Sequence, residues 1–205
     1  VRSLFQVHAK PPRPGTAKTR LGTEIGAERA AAFAGAFLRD TFALLRRAGV
    51  DAVLVTPEPG ADHGVDAPVW DQGGGDLGER LERAYRRGLA DAEVVVALGG
   101  DAPGLPAGHL RAVLALAERH DAVLGPAEDG GFWTLALRRC PDGVLAGLPW
   151  SAADTAAATA ARFPGLATGP SWWDVDTRAD LLRLRAEVDP AHAPATFALL
   201  ARTPL

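Results

Sequence analysis

Apolar positions along the chain fall into two alternating kinds of block. The first kind is short and almost continuously apolar: "SLFQVHA" (Ser3 to Ala9), "DAVLVTP" (Asp51 to Pro57), "EVVVALGG" (Glu93 to Gly100), "DAVLGPA" (Asp121 to Ala127) and "GGFWTLALR" (Gly130 to Arg138). Runs of this length read as strands, and the continuous ones read as parallel strands covered on both faces. The second kind repeats with helical spacing. From Ile25 to Ala48, residues Ile25, Phe33, Phe37, Phe42 and Leu45 share one face, and Gly49 stands where a C-terminal cap belongs. In "DLGERLERAYRRGLA", Leu77, Leu81, Tyr85 and Leu89 recur every four residues, with Asp76 and Glu79 at the favourable end. "PAGHLRAVLALAERH" predicts another helix, "APVWDQ" a short strand, Ser151 to Arg162 a helix, "WWDVDT" the end of a short strand, and Arg178 to Glu187 a final helix.

Strand–helix alternation through the first two-thirds predicts an α/β domain with a mainly parallel sheet. One domain over residues 1–188 is expected, with a Pro- and Ala-rich, weakly organised tail (189–205) packed on it. "KPPRPGTAKTRLG" has too much proline for regular structure and reads as a loop after the first strand.

Composition narrows the classes. With 205 residues and 47% hydrophobic content, the chain can bury one sizeable core. A formal charge of -3 argues against a general nucleic-acid binder, and the apolar runs are too short for a membrane span. A single cysteine, Cys140, with no secretory signal pattern leads us to expect a reducing, cytoplasmic setting. No Cys–His arrangement marks Cys140 as a nucleophile. The charge is uneven: no acidic residue precedes Glu24, yet Arg2, Lys10, Arg13, Lys18 and Arg20 all do. A local basic loop in an acidic protein suits a small anionic ligand.

In open α/β sheets, ligands sit beyond the carboxyl ends of the strands. There the sequence puts Asp101, after "EVVVALGG", and Glu128 and Asp129, after "DAVLGPA"; Asp174 and Asp176 lie in "WWDVDT". Carboxylates crowded in one crevice call for a cation, and hard oxygen donors suit Mg²⁺ or Mn²⁺. Each piece also has a plain structural reading. Asp101 can form an Asx turn, Asp176 a helix cap, "EDGG" a tight turn, and the basic loop a solvated surface. Their joint placement at strand ends favours the site.

Together, "AKPPRPGTAKTRL", "DQGGGDLGERL", "LGGDAPGLP", "LGPAEDGGFWTLAL", "LPWS" and "DVDTRADL" resemble a bacterial family of small GT-A-fold, glycosyltransferase-like proteins. That family is similar to the phospholactate guanylyltransferases, and more distantly to molybdenum-cofactor nucleotidylyltransferases and sugar-nucleotide pyrophosphorylases. The resemblance covers about Phe5 to Leu184. It implies a GT-A, Rossmann-like nucleotide-diphospho-sugar transferase fold. It also implies that Lys18 and Arg20 hold phosphates with Lys10 nearby, and that Gln72 reads the base. Gly99 and Gly100 would let the nucleotide approach the backbone. Asp101, Asp174 and Asp176 would carry Mg²⁺ or Mn²⁺. Glu128, Asp129, Gly130 and Gly131 would meet the second substrate, the glycines offering N–H groups to an anionic end. His8 departs from the family pattern and reads as a core or loop histidine. Phe132 and Trp133 replace small polar residues, which disfavours a phospholactate-like substrate.

These implications add up to a Mg²⁺-dependent transferase taking an NTP, or in the rival reading a nucleotide sugar, and a small second molecule. Nucleotidylyl transfer, with Lys18, Arg20 and Asp101 as its catalytic groups, is the first expectation. Glycosyl transfer is the alternative, with Glu128 or Asp129 available as a base; a non-catalytic nucleotide-binding module is a third. Trp133, Trp150, Trp172 and Trp173 gather near "EDGG", "PWS" and "DVDT", so at least one of Trp133, Trp150 and Trp172 is expected to face the cleft.

Overall fold

A computed structural model describes residues 1–205. Seven strands form one sheet in the order β3-β2-β1-β4-β6-β5-β7. They are β1 (Ser3–His8), β2 (Asp51–Thr56), β3 (Val69–Asp71), β4 (Val94–Gly99), β5 (Ala122–Pro126), β6 (Phe132–Leu137) and β7 (Ala167–Thr168). The helices are α1 (Thr19–Ile25), α2 (Ala27–Ala48), α3 (Leu77–Leu89), α4 (Ala107–Ala117), α5 (Thr155–Ala160), α6 (Arg178–Glu187) and α7 (Pro194–Leu200). β4 lies at the centre, β1 runs parallel to its neighbours β2 and β4, and β6 runs antiparallel between β4 and β5. The predicted α/β architecture with a mainly parallel sheet is the observed one.

Continuous apolar runs become central strands because both faces are covered. One face packs Phe5, Val7, Val96 and Leu98 against Leu38, Phe42 and Leu45 of α2 and Leu110 and Val113 of α4. The other packs Val95, Ala97, Leu135 and Leu137 against Leu81 and Tyr85 of α3. α3 approaches closely at Gly88, where a Cβ would lie 2.7 Å from Val95 Cγ2 and 2.8 Å from Gln6 Nε2. The buried Gln6 amide uses that proximity to donate to Ala84 O at 2.7 Å.

Four local expectations are corrected. The helix expected from Ile25 breaks at Gly26 (φ 93), so Arg20 belongs to α1 and not to the loop. The helix expected over Ser151 to Arg162 is only α5, because Ser151 takes a left-handed conformation (φ 61) and Ala152–Thr155 close a turn. "WWDVDT" is not a strand: Trp172 makes one isolated bridge to Ala127, and the edge strand is β7, upstream. The tail is organised. A 3-10 turn (Pro190–His192) leads into α7, whose first N–H groups, Ala195 and Thr196, donate to the buried Asp40 carboxylate of α2 at 2.9 Å each. Thr196 Oγ1 adds a third bond to Asp40 at 2.6 Å. No helix is long and apolar enough to cross a membrane.

Candidate active site

β1 and β4 end side by side, with His8 opposite Gly99. The basic loop leaves β1 here and folds back through turns in which Thr16 and Ala17 donate to Arg13 O. It ends at Lys18 in a left-handed conformation (φ 50, ψ 50), the αL entry to α1. That entry sends the Lys18 side chain inward, leaving it only 9% exposed.

Lys18 Nζ donates to Asp176 Oδ1 at 2.7 Å and to Asp101 Oδ2 at 3.0 Å. Arg20 donates to the other oxygen of Asp176. Asp101 follows β4, whereas Asp174 and Asp176 come from the irregular segment before α6. A main-chain bond joins the two regions, Val175 N donating to Asp101 O at 2.9 Å. The carboxylates that flank Val175 therefore reach Asp101 by that tether and not by a strand, as "WWDVDT" led us to expect. α6 fixes the segment from behind through the Thr177–Asp180 capping box.

The electrostatics are strongly biased. Burial alone would lower the Lys18 pKa, but Asp101 and Asp176 outweigh it and raise it. Burial would raise Asp176, yet Lys18 and Arg20 hold it below the usual carboxylate range. Asp174 makes no ion pair. Burial first, then the Asp101 charge, pushes it up to about 8, which the Lys18 charge offsets only in part, and its Oδ1 is buried with no hydrogen-bond partner. His8 is lowered to about 4 by burial, with Nε2 unpartnered.

An unsatisfied buried carboxylate oxygen beside two further carboxylates fits a hard divalent cation. In this arrangement no group of three or more His, Cys, Asp or Glu side chains is drawn together tightly enough to hold one. The Lys18 ammonium stands between Asp101 and Asp176 instead. Closing those oxygens on a metal requires Lys18 to move away.

Two cavities of about 560 Å³ each meet at this point, sharing His8, Arg20, Asp101, Ser151 and Asp176. The first lies under the loop and includes Lys10, Lys18 and Gly100. The second includes Gly99, Asp129, Gly131, Phe132, Trp133, Trp150 and Asp174, with Leu77 and Leu81 from α3. Trp150 lines it, its ring edge-on to Phe132 at 6.3 Å. Trp133 reaches the same cavity but is 2% exposed and donates to Pro170 O at 2.9 Å. Trp172 lines neither and stacks on Trp173. A cleft-facing indole in this region is what the structure has.

Other expected residues are placed differently. Gln72 lines neither cavity; its N–H donates to Thr56 O and its carbonyl accepts Arg83 Nη1. Glu128 turns out of the second cavity into a two-pronged pair with Arg183 at 2.6 and 2.9 Å, which keeps its carboxyl acidic. Gly130 and Gly131 do not offer free N–H groups to an anion. Gly130 N donates to Ala127 O and Gly131 N to Asp129 Oδ1, closing the "EDGG" turn. Gly130 (φ 88) also sits against the Ala153 carbonyl, where a Cβ has no room. Cys140 is pushed up to about 11 by burial and is an unreactive thiol.

The sequence did not single out Ser151, which borders both cavities, or Arg183, which braces Glu128 while its guanidinium lies 4.4 Å over the Trp173 ring; His8, expected as a core or loop histidine, is largely buried and also borders both cavities. His8 carried a signal, a histidine at the tip of a buried strand. Arg183 carried none, because its partner is 55 residues away.

Comparison with known proteins agrees with this architecture. A family model described as "Uncharacterized protein conserved in bacteria (DUF2064)" matches residues 41–152. No functionally curated protein matches the chain. A crystal structure from Desulfovibrio desulfuricans G20, provisionally described as a nucleotide-diphospho-sugar transferase, superposes with a TM-score of 0.86 at 29% identity, covering 98% of this chain and 94% of that one. CMP:2-keto-3-deoxy-manno-octonic acid synthetase, solved with CTP, superposes at 0.56 and 14% identity, covering 91% and 98%. Rv0371c of Mycobacterium tuberculosis H37Rv, solved with manganese, superposes at 0.51 and 20% identity, covering 92% and 100%. The fold is the Rossmann-like fold of nucleotide-diphospho-sugar transferases, related to that of nucleotidyltransferases.

Proposed function

The chain belongs to the DUF2064 family, and we propose that it is a nucleotidylyltransferase that joins an NTP to a phosphorylated small molecule. One observation carries this reading: Lys18, Arg20, Asp101, Asp174 and Asp176 converge where a basic cavity and an aromatic cavity meet. The basic cavity suits a triphosphate. The aromatic cavity suits an organic group. The reacting phosphorus belongs at their border.

In the proposed reaction, a phosphate oxygen of the second substrate attacks the α-phosphorus of the NTP. A P–O bond forms, the bond to the β-phosphate breaks, and pyrophosphate leaves. The attacking oxygen is already anionic, so no general base is required. Catalysis is positioning and charge compensation. Lys18 and Arg20 would leave their carboxylate partners and hold the phosphates. Asp101, Asp174 and Asp176 would hold a Mg²⁺ or Mn²⁺ ion, which when bound neutralises phosphate charge. Lys10 lines the phosphate cavity and adds to its positive potential.

Transfer from a nucleotide sugar to a hydroxyl is the other reading the fold allows. An inverting enzyme would need a base beside the acceptor. Glu128 is engaged by Arg183, so only Asp129 remains on that wall, and this favours nucleotidylyl transfer. The deciding experiment incubates the protein with Mg²⁺ and each NTP plus phosphate monoesters, or with each nucleotide sugar plus hydroxyl acceptors. Pyrophosphate release that depends on the monoester supports the proposal. Release of NDP from a nucleotide sugar overturns it.

A further inference from the structure

The wall chemistry of the aromatic cavity restricts which second substrate fits, an inference that rests on the nucleotidylyl-transfer reading above. Away from the border and from Asp174 of the carboxylate set, its walls include Phe132, Trp150, Leu77 and Leu81, and the charged group there is Asp129. The cavity's one arginine, Arg20, lies at the border and is bonded to Asp176; no lysine lines it. The N–H groups of Gly130 and Gly131, which could have cradled an anion, are spent inside their own turn. Asp129 gives one oxygen to Gly131 and has no cationic partner. A carboxylate or second phosphate on the substrate's organic part would thus face a like charge and apolar rings, with only neutral donors at hand, the Ser151 hydroxyl at the border and the unpartnered Trp150 Nε1–H. A hydroxylated carbon skeleton can pack on the rings, and a cationic nitrogen would gain from both the rings and Asp129.

We propose that the second substrate is a phosphate monoester whose organic part carries no negative charge, and that Asp129 enforces this by repelling anionic competitors. One partly solvated like charge at close range gives roughly tenfold discrimination.

The test compares three monoesters of similar size: choline phosphate, glycerol 3-phosphate and 3-phosphoglycerate. Binding is read by tryptophan fluorescence, with Trp150→Phe identifying the reporting ring. Turnover is read as pyrophosphate release with each NTP. The expectation is that choline phosphate and glycerol 3-phosphate each bind about tenfold more tightly than 3-phosphoglycerate. In Asp129→Asn, which keeps an oxygen for Gly131 N–H, the gap should shrink to below about threefold, mainly because 3-phosphoglycerate improves. The proposal is overturned if 3-phosphoglycerate binds the native protein as well as the others, if the gap survives Asp129→Asn, or if none of the three binds. Selective binding with no pyrophosphate release would instead sink the reaction reading and leave the pocket's charge preference standing.

Discussion

Replacing Asp174 with asparagine gives a prediction whose sign depends on pH. Asp174 is raised from the usual 3.8 to about 8, by burial first and then by Asp101. Between those values the native state holds a proton that the unfolded chain has lost, so stability falls as pH rises from about 4 to about 8. At about 1.4 kcal/mol per pH unit, the ceiling is about 6 kcal/mol. Water entry and movement of Lys18 relax the site, so we expect about 3 kcal/mol. Asparagine has nearly the same shape and no charge to bury. Asp174→Asn should therefore nearly match the native protein at pH 4 and exceed it by about 3 kcal/mol above pH 8, which is about 6–12 °C in Tm for a domain of this size. Adding Mn²⁺ at pH 8.5 should reverse the order, because the native carboxylate gains a counter-charge and the variant has lost a ligand. The assay is thermal denaturation at both pH values, with and without metal. An advantage of the variant that does not grow with pH would refute the electrostatic reasoning. A native protein indifferent to Mn²⁺, alone and with nucleotide, would refute the assignment of these carboxylates to a cation.

Other expectations follow from the same geometry. Lys18→Ala and Arg20→Ala should each weaken NTP binding by about tenfold or more, measured by calorimetry, since each removes a charge-assisted contact to phosphate. Lys18→Ala should also lower stability at pH 7, where Asp101 and Asp176 lose their shared partner. Trp150→Ala should raise the KM for the second substrate several-fold and leave NTP affinity unchanged in a two-substrate kinetic analysis. Gly88→Ala should destabilise by about 1–3 kcal/mol in urea titration, because a methyl group there presses on Val95 and Gln6.

The core strands were legible because burial on both faces leaves a continuous apolar run, as in Val94 to Leu98. α3 was legible because Asp76 and Glu79 stand at capping spacing; α6 was legible as a helix, but its cap is Thr177 with Asp180 and not Asp176, whose carboxylate is taken by Lys18 and Arg20. "WWDVDT" misled because tryptophan and valine favour strands anywhere, while a single bridge at Trp172 is all the neighbouring chain provides. The acidic cluster was legible as a set of residues, but not its present partner. Nothing local to Lys18 says that it turns inward through a left-handed backbone. Likewise "EDGG" announced its turn but not that the turn would consume its own N–H groups. Such details depend on which distant group arrives first, and spacing along the chain does not encode that.

The bond from Val175 N to Asp101 O has a practical consequence. It links two stretches far apart in the chain at the floor of the site, and main-chain atoms make it, so side-chain substitutions leave its chemistry intact. Its amide proton can exchange with solvent only when the two stretches separate. Deuterium uptake at that one backbone position therefore clocks the opening of the site itself, independently of turnover, ligand or any introduced label.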